Sequence, residues 1–200
     1  GVEGIEELMS RFTSSYDQSK VKERIVPTDA EIIELIPRIL NPQWRYVFGM
    51  MATYGLRNHE VWSAHIDNRK SKDGTVIPVC VVRDGKTGPR IAYPLPGDWV
   101  ELFDLKDQVL PDLDKDLGKA TSRAFQRQCK RIGESPRWKL YGLRHAYAIR
   151  CLSRKIPDAV ASKWLGHSVG TFQNIYSKWI NQSVSEDIWL KSAFQGEYDS

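Results

Sequence analysis

Cysteine is scarce and scattered: Cys80, Cys129 and Cys151 are an odd set with no Cys-x-x-Cys pair, which argues against both a disulfide framework and a zinc site. No carboxylate cluster or His/Cys set resembles a metal site, so neither metal nor other cofactor is called for. No apolar run approaches the ~18 residues of a membrane span, and Gly1 opens no signal-peptide pattern. The expectation is a protein of the cytoplasm, kept reduced, with no membrane partner. Internal repeats and low-complexity segments are lacking too, which excludes solenoids and arrays.

What is present fits one compact domain. Hydrophobic residues make up 41% of 200, enough for one sizeable core, and the large aromatic groups exceed what a minimal core requires. The net charge of +4 hides an uneven distribution: Lys119 to Lys155 holds eleven Lys and Arg against Glu134 alone, so that stretch carries +10 and the remainder −6. A local basic field of that size points to a polyanion, nucleic acid first.

Residues 1–24 are polar and poorly periodic and read as a linker. Thr28-Asp29-Ala30-Glu31 has the form of a capping box, followed by Ile32, Ile33, Leu35, Ile36 and Ile39 on one helical face until Asn41-Pro42. A second helix is expected from Gln43 to about Tyr54. Between His65 and Leu95, β-favouring runs and the turn signals Asp73-Gly74 and Asp84-Gly85 predict a three-stranded antiparallel sheet, its last run being Ile91–Leu95. Helices are expected again over about 98–105, 119–132, 140–154, 157–165, 168–179 and 183–194. The fold class is mainly α with a small β insert, an α+β chain with its principal domain over 25–180 and a terminal helix and tail over 181–200.

Four places combine reactive residue types: Arg57 three residues before Glu60; Lys86-Thr87-Gly88 between two strands; Tyr141-Gly142-Leu143-Arg144-His145; and Leu165-Gly166-His167, nine residues before Tyr176. Taken alone, each has an ordinary reading: a surface ion pair, a solvated turn lysine, a cation on a basic helix, a helix-terminal histidine, a core tyrosine. Their order and spacing over residues 25–180 together resemble the tyrosine recombinase, or phage integrase, family. Breaking a phosphodiester without metal requires fixed cations on the phosphoryl oxygens, and arginine meets this with a planar pair of donors and a permanent charge.

The resemblance implies the catalytic-domain fold of that family and a role for each element. Arg57 and Arg144 would clamp the phosphate, and His167 would hydrogen-bond it. Lys86 would protonate the leaving 5′-oxygen, and Tyr176 would attack to give a 3′-phosphotyrosyl link. Glu60 and His145 are expected to be structural supports, His145 because one step along a helix turns it about 100° from Arg144.

One position departs from the pattern. The family carries His three residues before the second arginine, and here that residue is Tyr141, as in the recombinases that excise DNA elements during cyanobacterial heterocyst development. A phenol with an ordinary pKa of ~10 is a poor base near neutrality, so Tyr141 fits better as a donor or relay and the general base is left open.

The helix over 119–132 places Lys119, Arg123, Arg127, Lys130 and Arg131 near one face, a geometry suited to tracking phosphates. The implied partners are double-stranded DNA and further copies of the chain, as a tetramer on paired sites and a monomer when alone. Type IB topoisomerase-like relaxation and a non-catalytic DNA-binding role are the alternatives.

Overall fold

The computed structural model describes residues 25–85, 88–113 and 115–176. Thr28 opens the first helix, α1 (Asp29–Leu35), through a reciprocal cap: the Glu31 carboxylate accepts the Thr28 N–H at 2.7 Å and Thr28 Oγ accepts the Glu31 N–H at 3.2 Å. The apolar run does not continue as α-helix to Ile39. Pro37 has no N–H to give to an i−4 carbonyl, and the chain tightens into a 3₁₀ turn over Ile36–Arg38.

Helix α2 (Pro42–Tyr54) starts where Asn41 Oδ1 accepts the Trp44 N–H at 3.1 Å, with Pro42 in the first turn. Every residue from Tyr46 to Tyr54 is buried, so the rest of the fold packs around this helix on all sides. It stops at Gly55 in the left-handed region, φ +65°, where an added Cβ would lie 2.6 Å from the Tyr147 ring. Only glycine permits both that backbone and that approach.

A 3₁₀ turn over Glu60–Ser63 leads into the expected antiparallel sheet, β1 (Ala64–Lys70), β2 (Val76–Val82) and β3 (Arg90–Ala92), in the order β1-β2-β3. His65 faces Val81 and Val81 faces Ile91 in the register. β3 is shorter than the run Ile91–Leu95 because the Leu95 N–H is drawn off to the Thr53 carbonyl at 2.9 Å, at the end of α2.

Four further helices follow a short α3 (Trp99–Leu102): α4 (Leu117–Arg131), α5 (Gly142–Ser153), α6 (Asp158–Leu165) and α7 (Val169–Tyr176). α3 covers half of its expected span, since Asp104 takes a positive φ of 55° and turns the chain away. Within α5, Arg150 joins distant parts. It lies 4.5 Å from the centroid of the Trp99 ring and donates to Asp29 of α1 at 2.7 Å, to the Leu95 carbonyl at 2.8 Å and to the Ala52 carbonyl of α2.

Around α2 lies the main core; a smaller cluster of Leu95, Tyr147, Ala148, Cys151, Ala161, Leu165, Phe172 and Tyr176 binds α5, α6 and α7 together. All three cysteines are free and buried. No helix among the described residues is long and apolar enough to cross a membrane. The linker expected over 1–24 and the terminal segment 181–200 lie outside the described residues.

Candidate active site

The last turn of a helix leaves carbonyls without intrahelical donors at the negative end of the helix dipole. At the end of α6, three successive carbonyls each receive one arginine from a different element. Trp164 accepts Arg90 Nε at 2.9 Å, Leu165 accepts Arg144 Nη2, and Gly166, left-handed at φ +65°, accepts Arg57 Nη2 at 3.0 Å. The Leu165-Gly166 element thus acts as a backbone cradle for guanidinium groups. Arg144 is also held by the end of α2, giving Nη1 to the Gly55 carbonyl at 2.6 Å.

Glu60 ties this set together. Fully buried, its carboxylate accepts Arg57 Nη1 at 2.6 Å, the Arg57 backbone N–H at 2.7 Å and both Arg90 Nη atoms at 2.8 and 2.6 Å, with Arg144 Nη1 4.0 Å away. Burial alone would raise its pKa, but the Arg90 pair, the Arg57 amide and Arg144 outweigh that and hold it at about 2. Three guanidinium groups against one carboxylate leave the pocket with a net +2. Burial draws Arg144, which is 0% exposed, down to about 10, so it remains a cation at neutral pH.

His167 stands directly after the cradle. Its Nε2 is 2.9 Å from Arg144 Nη2, and because a guanidinium only donates, Nε2 accepts and the ring proton resides on Nδ1. Burial first, then Arg144, Arg57 and Arg90, push its pKa down to about 3, so the ring is neutral at pH 7. His167 Nδ1 and Arg144 Nε are buried donors without a partner among the described residues. Orphaned donors beside an excess of positive charge are what an anion would satisfy.

Tyr176 ends α7 with its side chain 1% exposed, stacked on His167 at 6.2 Å between ring centroids and packed on Phe172 at 5.0 Å. Its Oη lies 3.1 Å from His145 Nδ1. His145, expected as a structural support, is thus in direct polar contact with Tyr176. The 100° step does turn it from the Arg144 side of α5, but α7 packs where it arrives. Tyr141, 39% exposed, lays its ring edge to face on His145 at 5.2 Å.

The structure therefore gathers Arg57, Glu60, Arg144 and His167 in one pocket, with Tyr176 against His167 and His145 behind it. Lys86 lies outside the described residues. Lys119, Arg123, Arg127, Lys130 and Arg131 are all exposed along α4, while Thr121, Ala124, Phe125, Gln128 and Cys129 face the core. Arg90 was missed by the sequence reading; its signal is its place at the start of the strand that follows the Lys86 hairpin. Among the described residues, no three His, Cys, Asp or Glu side chains gather as a metal site.

No protein-family model matches the chain. Two curated relatives from Nostoc sp. strain PCC 7120 do. Excisase A is 28% identical over 86% of this chain and 42% of its own length, and Excisase C is 35% identical over 68% of this chain and 29% of its own length. The chain thus spans less than half of the relatives it matches.

Among solved structures, the XerA recombinase superposes with a TM-score of 0.59 at 20% identity, covering 87% of this chain and 67% of that one. The XerH site-specific recombinase, in a post-cleavage complex with its difH substrate, gives 0.57 at 17% identity over 84% and 53%. A lambda integrase dimer bound to a core site gives 0.51 at 18% identity over 85% and 55%. The α+β fold is that of a recombinase catalytic domain. By sequence the chain is similar to the two excisases, and the tyrosine recombinase resemblance of its motifs agrees with the recombinase and integrase fold it shares.

Proposed function

We propose that this chain is the catalytic domain of a site-specific DNA recombinase that cuts and rejoins DNA through Tyr176, without ATP or metal. The observation that carries the reading is the cationic pocket itself: three backbone-held arginines, one carboxylate and two orphaned buried donors, next to a buried phenol. A phosphodiester placed there would meet Arg57 and the unpartnered N–H groups of Arg144 and His167. These donors are fixed before the reaction begins, so stabilising the five-coordinate phosphorus requires little reorganisation. Neutral His167 acts as a hydrogen-bond donor and not as an acid.

Tyr176 Oη attacks phosphorus, a 3′-phosphotyrosyl bond forms, and the 5′-oxygen leaves with a proton from Lys86. Attack by a different 5′-hydroxyl reverses the step and exchanges strands. Tyr176 Oη is held beside His145, with its ring on the His167 ring, next to the arginine cluster. The exposed cations of α4 would track the duplex backbone. Similarity to two excisases favours removal of a DNA element as the outcome, by a homotetramer on paired sites in the cytoplasm. Residues 1–24 would link to a preceding DNA-binding domain, and 181–200 would dock on a neighbouring protomer.

Incubation with a nicked half-site of the native target in EDTA, followed by a denaturing gel, tests this reading. A detergent-resistant adduct that Tyr176→Phe abolishes is expected. DNA binding with no adduct would leave a non-catalytic binder, and nicking that requires added metal would contradict the mechanism.

A further inference from the structure

Attack by Tyr176 leaves its phenol proton without a destination, and the residue that the tyrosine recombinases usually carry at this point is replaced by Tyr141. We propose that His145 is that destination: a catalytic base that takes the proton from Tyr176 Oη on attack and returns it on rejoining. The inference rests on the strand-exchange reading and extends it.

Geometry singles out this ring. His145 Nδ1 is 3.1 Å from Oη, within the reach of direct proton transfer, and the side chain is 6% exposed, so bulk water does not compete for the site. Of the four imidazoles in the chain, His59 is exposed before the Glu60–Ser63 turn and His65 is on β1. His167 meets the Tyr176 ring face to face, at 22° between planes, and its Nε2 is occupied by Arg144. With burial and three guanidinium groups holding it at about 3, it has no capacity for a proton. Tyr141 is a second phenol, and a phenol that keeps its own proton has no basic site to offer, whereas a neutral imidazole presents one unprotonated ring nitrogen. Its ring edge packs against His145 and helps fix that ring in place.

The step balances. The O–H bond of Tyr176 breaks as Oη bonds phosphorus, and its proton goes to Nδ1, giving imidazolium. The bond from phosphorus to the 5′-oxygen breaks with its electron pair on oxygen, which takes a proton from Lys86. In rejoining, the 5′-hydroxyl gives its proton to the neutral lysine, the phosphorus–Oη bond breaks, and His145 returns the proton to the phenolate. Neutral His145 must therefore carry its resting proton on Nε2, leaving Nδ1 as the acceptor.

Two measurements test this. Long-range nitrogen–proton NMR on the wild-type chain, without DNA, should find His145 Nδ1 unprotonated and perturbed by Tyr176→Phe. A proton on Nδ1 would mean that the ring donates to the phenol, and would overturn the proposal. The second is single-turnover adduct formation on a pool of duplexes with one 5′-bridging phosphorothiolate flanked by random sequence; the sulfur leaving group traps the adduct. His145→Asn keeps a polar atom near the place of Nδ1 but no basic nitrogen, and should slow adduct formation by about 100-fold or more, as for loss of a general base. Imidazole added to His145→Ala should recover part of the rate. A wild-type adduct at Tyr176 with His145→Asn within about threefold of it would defeat the base assignment and leave the recombinase reading intact. Absence of any wild-type adduct would bring down both.

Discussion

Replacing Glu60 by Gln removes the one negative charge among three guanidinium groups, of Arg57, Arg90 and the fully buried Arg144, while nearly preserving shape. The wild-type carboxylate accepts five hydrogen bonds or close ion contacts, from Arg57, Arg90 and Arg144, and is 0% exposed. Gln offers one acceptor oxygen, and its NH₂ group turns donors toward donors. Breaking a buried pair from one side costs ~3–5 kcal/mol. The pKa gives an independent scale: a fall from 4.5 to about 2 corresponds to ~3 kcal/mol at 1.36 kcal/mol per unit.

At ~2–4 °C per kcal/mol for a chain of this size, Glu60→Gln should lower Tm by about 6–12 °C. Because the folded pKa is depressed, this stabilisation is complete above about 4.5 and is lost as pH falls toward about 2. Thermal unfolding followed by circular dichroism should therefore show a wild-type Tm that falls through that window and a variant in which this component is absent. Sulfate, as a replacement anion, should raise the variant's Tm more than the wild type's. A Tm within 2 °C of wild type at pH 7, or the same slope for both between pH 2 and 4.5, would refute the view that Glu60 balances the pocket.

Arg57→Lys keeps the charge but loses the planar pair of donors. It should reduce single-turnover cleavage by at least ~10²-fold while DNA affinity changes by less than ~10-fold, and equal rates for Lys and Arg would remove the clamp. Tyr141→Phe retains the ring that packs on His145, so the cleavage rate should stay within about threefold; a hundredfold loss would return a chemical role to its hydroxyl. Replacing the exposed Lys119, Arg123 and Arg127 together by Ala should flatten the plot of log K against log salt by up to ~2.7 with no change in helicity. An unchanged slope would place α4 off the DNA.

Much of this was legible because it is encoded locally. Asn41 and Gly55 bracket α2 to within a residue, since a side-chain cap and a left-handed stop act on neighbouring backbone. β-branched runs between turn signals located the sheet. The convergence of Arg57, Arg144 and His167 was legible only through the spacing of the whole set. Nothing near Leu165 in the sequence announces that three consecutive carbonyls will each hold an arginine. Arg90 escaped notice because its partner, Glu60, is thirty residues away across two strands. The contact of His145 with Tyr176 was hidden for a related reason: a helical wheel gives the direction of a side chain relative to its neighbours on α5, but not which other helix packs there.

In the proposed reaction Tyr176 itself becomes joined to the 3′ end of the cut strand. Digesting the covalent complex with trypsin and nuclease and sequencing the remaining peptide by mass spectrometry tests it most directly. The expected result is a nucleotide attached through phosphate to Tyr176, joined to the strand end that carries the upstream label, with a free 5′-hydroxyl on the other fragment. A nucleotide on any other residue, or linkage to the 5′ end, would contradict the assignment.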